Sequence, residues 1–124
     1  MRLHAVRSGL GRVIDFIWDH ASDSAAVLMR SRADALHGKR LCAWQDRSPL
    51  DQPALVEHYR RILESGRAQS FDHVHWVDGR QEMVIHRVIC EGDSIAVTLI
   101  NLSANRRAQA RRLQIESSRN ATQE

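Results

Sequence analysis

The stretch Ser70–Leu102, "SFDHVHWVDGRQEMVIHRVICEGDSIAVTLINL", decides the fold. Ser70 to Val77 alternates in polarity, and Glu82 to Cys90 alternates again. Between them stands Asp78-Gly79, a pair suited to a two-residue hairpin because both central positions of that turn need positive φ. Glu91-Gly92-Asp93 supplies a second turn, and Ser94 to Leu102 reads as a third strand. Three strands joined by tight turns form an antiparallel meander.

Upstream of the meander, Leu55, Val56, Tyr59, Ile62 and Leu63 recur at helical spacing, with Pro53 fitting the first turn and Gly66 the stop. Trp44 to Pro53 reads as a loop. Ser22 can cap a short helix running from Ser24 to Met29, and Ser31-Arg32-Ala33-Asp34 has the capping-box pattern of a second short turn ending at Gly38. Earlier still, Arg2–Arg7 and Arg12–Asp19 flank the turn residues Ser8-Gly9-Leu10-Gly11. This predicts a hairpin with Ile14, Phe16 and Trp18 on one face and Asp15 and Asp19 on the other. The order β-β, short helices, longer helix, β-β-β, helix predicts an α+β fold: a five-stranded antiparallel sheet with short helices on one face and a C-terminal helix.

The totals suit one domain: 124 residues, 43% hydrophobic and 27% charged. No apolar run approaches the roughly 18 residues of a membrane span, and no signal-peptide core follows Met1. The expected location is cytoplasmic, without membrane contact. The net charge of +3 is unevenly placed: residues 1–102 hold 13 Lys/Arg and 13 Asp/Glu, whereas residues 103–124 hold 5 and 2. The body is neutral and the tail is cationic. Leu102, Arg106, Gln109 and Leu113 have the spacing of a short coiled-coil seam, with the other arginines solvated, so nucleic acid is not the expected partner. Cys42 and Cys90 lack metal or redox spacing and read as small buried thiols.

Four phrases in this order, "GRVIDFIWDHASDSAA", "ALHGKRL", "LVEHYRRILESGRAQSF" and "DSIAVTLINLSANRRAQ", resemble the PAS sensory domains of bacterial signalling proteins. The resemblance spans nearly the whole chain and is closest to the subclass found beside GGDEF and EAL domains or histidine kinases. It implies residues 1–103 as the PAS-like sensory body and 104–124 as a signalling or coiled-coil helix with a polar tail. It further implies a homodimer, a ligand cavity between sheet and helices, and an output domain in the same parent chain, in cyclic-di-GMP or kinase signalling. By the same resemblance, the abrupt opening on a strand is expected to mean that an N-terminal helix common in the family has been cut away.

Asn101, Leu102 and Ser103 occupy the place of the family's Asp-Ile/Val-Thr junction, which hands a signal from the last strand to the outgoing helix. Asn101 replaces the usual aspartate, so a charge-assisted link to an arginine of that helix becomes a neutral hydrogen bond. Ser103 suits an N-cap. Ser22-Asp23 stands where the subclass usually has Asn-Pro.

The pocket candidates are Phe16, Trp18, Leu28, Tyr59, Trp76, His86 and Thr98, which suit a small apolar or aromatic ligand, although aromatics at this spacing more often simply fill a core. His86 alternates with Val84 and Val88, placing a polar ring on an inward face where it needs a partner from a ligand or from the protein. His58 lies at the edge of the helix stripe, and haem is not expected there. His73 and His75 share a strand face at i, i+2, a spacing open to a metal, but no third ligand is near in sequence. Cys42 in "KRLCAW" lacks the surroundings of a flavin-photoreceptor cysteine. No nucleophile elbow, phosphate-binding loop or metal-helix motif is present, so turnover is not expected.

Overall fold

The computed structural model describes residues 1–45 and 55–122. Five strands, β1 (Arg2–Arg7), β2 (Val13–His20), β3 (Gln69–Val77), β4 (Arg80–Glu91) and β5 (Ser94–Asn101), form one antiparallel sheet in the order β2-β1-β5-β4-β3. The meander is therefore three adjacent strands. Its β3–β4 turn has Asp78 at φ 51 and Gly79 at φ 76, the double positive-φ geometry that matches the twist of a hairpin.

Register sorts side chains between the two faces. Phe71, His86 and Leu99 form one cross-strand row, and His73, Val84 and Asn101 form the next. The same face continues through Val88, Val97, Ile95 and Leu3 to Phe16 and Trp18, all of them buried. Four helices cover it: α1 (Asp23–Leu28), α2 (Ala33–Leu36), α3 (Leu41–Gln45) and α4 (Leu55–Ser65). α4 buries Leu55, Val56, Tyr59, Ile62 and Leu63, the stripe expected from spacing, and packs against β2, β4 and β5. Its expected start at Pro53 lies outside the described residues. Gly66 at φ 67 ends the helix, its N–H returning to the Ile62 carbonyl.

The short helices bridge the edges of the curled sheet. α1 packs on edge strand β3, while α2 and α3 pack on the opposite edge strand β2. Ser22 caps α1 by accepting the Ala25 N–H at 3.2 Å. α2 begins differently from the capping-box expectation: Arg32 is its N-cap residue, makes no side-chain cap bond, and pairs instead with Asp34. Trp44, expected in a loop, belongs to α3.

The faces of β2 also differ from strict alternation. Val6 pairs with Asp15 but Arg7 pairs with Val13, so Ile14 is the extra residue of a β-bulge and turns outward, 48% exposed. Asp15 turns inward, where its Oδ1 accepts the Phe16 N–H at 2.7 Å and the Cys42 N–H at 3.1 Å. The buried carboxylate thus tethers α3 to the sheet. Beyond β5 the chain passes without a loop into α5 (Leu102–Thr122). No helix among the described residues is long and apolar enough to cross a membrane.

Candidate functional site

A cavity of about 550 Å³ opens between the two sheet edges and the helices that span them. Trp18 of β2, Trp44 of α3 and Trp76 of β3 line it, with His73 and His75 on the β3 side. Trp44 is the link between the edges. Its ring meets Trp18 edge-on at 6.3 Å and tilts over His75 at 6.4 Å, while its Nε1–H donates to the Met29 carbonyl. Trp76 also lines the cavity, and its buried Nε1–H has no acceptor among the described residues. Arg30, Lys39 and Arg40 complete the rim as exposed cations. Arg30 follows the end of α1 at φ 55, a conformation glycine adopts at lower cost.

Beside the cavity lies a buried polar chain from four elements, α1, β3, β4 and α4. The Nδ1 of His75 is 3.0 Å from the Leu28 carbonyl, its Nε2 is 2.8 Å from Nε2 of His86, and Nδ1 of His86 is 2.7 Å from the Tyr59 hydroxyl. A carbonyl can only accept, so Nδ1 of neutral His75 carries the proton and its Nε2 accepts from His86. His86 Nδ1 then accepts from Tyr59. Every bond has one direction, from Tyr59 through His86 and His75 to α1.

This arrangement requires both imidazoles to be neutral. Burial, reinforced by His75, His73 and His58, holds His86 down at about 2. Burial likewise lowers His75, opposed by its bond to the Leu28 carbonyl, and takes His73 to about 4 with help from His75 and His58. Burial raises the Tyr59 hydroxyl well above its ordinary value, which keeps it a donor. Phe71 stacks between His58 at 4.5 Å and His86 at 4.8 Å, closing an aromatic layer under α4. Among the described residues, no three His, Cys, Asp or Glu side chains are placed to hold a metal.

The junction with α5 is built from Asn101, Ser103, Glu82 and Arg107. Asn101 Oδ1 accepts the Ala104 N–H at 3.0 Å, so Asn101 is the side chain that caps α5. Ser103, expected as the cap, instead accepts the Met83 N–H of β4 at 3.0 Å. Arg107 reaches Glu82 with two bonds of 2.9 and 2.6 Å, a bidentate pair to a carboxylate only 3% exposed. The Arg107 hydrogen bonds, supported by Ser103, hold the Glu82 carboxyl below its ordinary range despite burial. The charged link between sheet and helix is therefore present, carried by Glu82 rather than by residue 101.

The seven pocket candidates separate into three groups. Trp18, Leu28 and Trp76 line the cavity. Phe16, Tyr59 and His86 lie together in the core under α4, fully buried, with Phe16 and Tyr59 edge-to-face at 5.9 Å. Thr98 points away from the row of Val97 and Leu99 and is exposed. Sequence reasoning did not find Trp44, Arg30, Lys39 or Arg40 as cavity residues, because short irregular helices give no periodic signal. No protein-family model, curated protein or solved structure matches this chain.

Proposed function

We propose that this chain is a non-catalytic PAS-type sensory module that binds a small molecule in the cavity and reports it through α5. One observation carries the reading: the cavity and the outgoing helix share one strand pair. His75 lines the cavity and is the cross-strand partner of Glu82, which holds Arg107 of α5. Displacement of β3 by a ligand is felt at the helix one strand away. The five-stranded antiparallel sheet, the helices over one face and the helix leaving its last strand agree with what the sequence resemblance implies. On that resemblance the parent protein is a bacterial signalling protein, dimeric and cytoplasmic, whose output is cyclic-di-GMP turnover or a histidine kinase.

A second reading has its own observation. Phe16, Tyr59 and His86 fill the centre of the concave face, and both ring nitrogens of His86 are bonded to protein groups. A ligand-free PAS domain used only for protein association would have such a core. Native mass spectrometry of freshly purified protein separates the two. A sensor carries an added mass that is lost on denaturation, and hydrogen exchange in the first turn of α5 changes on reloading. A clean apo dimer, with exchange in α5 indifferent to cell extract metabolites, rejects the sensor in favour of the association module.

A further inference from the structure

The wall and the rim of the cavity ask for different chemistry. Trp44 and Trp76 present flat apolar surface, with the fully buried Trp18 packed edge-on against Trp44, and two of the walls are tied together through the Trp18–Trp44 and Trp44–His75 contacts. Flat rings match such walls at little conformational cost. The histidines add no positive charge there, because burial keeps His73 and His75 neutral near pH 7.

The rim is cationic. Arg30, Lys39 and Arg40 form no ion pair among the described residues. None of the described residues lining the cavity is Asp or Glu. A concave site lined by one sign of charge over low-dielectric walls concentrates the opposite charge.

We infer that the cavity binds a flat aromatic molecule bearing an anionic group, a carboxylate being the simplest, with its rings between the indoles and its charge at the Arg30–Lys39–Arg40 rim. This inference rests on the sensor reading and narrows it to a ligand class. A purely apolar ligand leaves three cations unused, and a small inorganic anion leaves the indole walls wet. The volume of about 550 Å³ lies within the usual range of small-molecule sites and accommodates a fused two-ring body.

The test is calorimetric titration of the purified chain with 2-naphthoate and with its neutral counterpart 2-naphthamide. The acid is expected to bind roughly tenfold more tightly, the scale of a charge-assisted bond over a neutral one. Added salt narrows that preference, since the rim cations are exposed. The triple variant Arg30→Gln, Lys39→Gln, Arg40→Gln abolishes it without weakening the amide, and Trp44→Leu weakens both ligands. Equal affinity for acid and amide, or a preference that survives the triple variant, overturns the ligand class and leaves the sensor reading standing. Binding of neither probe to the folded protein overturns the ligand class, whereas the sensor reading falls only on the clean apo dimer in native mass spectrometry.

Discussion

Acidification should weaken this fold well above the pH at which its carboxylates titrate. His73 sits at about 4 and His86 at about 2 in the native state, against 6.5 without the fold. Because the native values are depressed, the unfolded chain takes up protons first as the pH falls. Stability is therefore complete above about 6.5 and is lost progressively below it, until about 4 for His73 and about 2 for His86. Between about pH 7.5 and 5.5 each histidine contributes a loss of between about 1 and 2 kcal/mol, and the two together about 3. His75, also lowered by burial, adds in the same direction. That is a large fraction of the 5–15 kcal/mol, roughly, that separates a domain from its unfolded state. The depressed carboxyls of Glu57, Glu82 and Asp93 act only at lower pH, below their ordinary values of 4.5 and 3.8. Urea unfolding at several pH values, monitored by tryptophan fluorescence and circular dichroism, measures the loss. His73→Gln should remove one histidine's share of the slope. Stability that stays flat from pH 7.5 to 5.5, or an unaltered slope in His73→Gln, would refute the neutral buried cluster.

Three substitutions probe the remaining contacts. Tyr59→Phe removes the donor to His86 Nδ1 and leaves a buried acceptor unpaired, so a loss of about 1–3 kcal/mol in urea unfolding is expected; a neutral effect would contradict the buried Tyr59–His86 bond. Asn101→Ala should cost about 1 kcal/mol and speed exchange in the first turn of α5, whereas Asn101→Asp should restore or exceed wild-type stability because a carboxylate favours a helix N-terminus. Gly79→Ala forces a Cβ into φ 76 with no steric neighbour to blame, and thermal denaturation should show about 1 kcal/mol of destabilisation from backbone conformation alone.

The parts of the fold that were legible in the sequence are those with a long unbroken period. The meander alternates over two strands around Asp78-Gly79, and the α4 stripe repeats through three turns; register and burial follow these patterns residue for residue. Ile14 and Asp15 were illegible because a single bulge inverts alternation, and nothing in "VIDFIW" marks where the extra residue falls. Thr98 has apolar neighbours on both sides, Val97 and Leu99 inward, Ala96 and Ile100 outward, so composition did not choose its face. At the junction, Asn101 and Ser103 are both good capping residues, and only the position of β4 assigns one to the helix and the other to Met83. The inward face of His86, and the face shared by His73 and His75, were visible as alternation; that the two are one face follows from the β3–β4 register. Their partners were not, because Tyr59 and Leu28 come from separate helices.

The one-way chain from Tyr59 to Leu28 also constrains how this sequence can drift. Replacing Tyr59 or His86 alone strands a polar atom on a buried histidine, while replacing the tyrosine and both histidines together by apolar residues of similar volume leaves only the Leu28 carbonyl without its donor. Tyr59, His86 and His75 should therefore behave as one inherited character: in divergent copies of this gene, the three are kept together or exchanged together. Intermediates holding one or two of them are the genotypes that selection on folding removes.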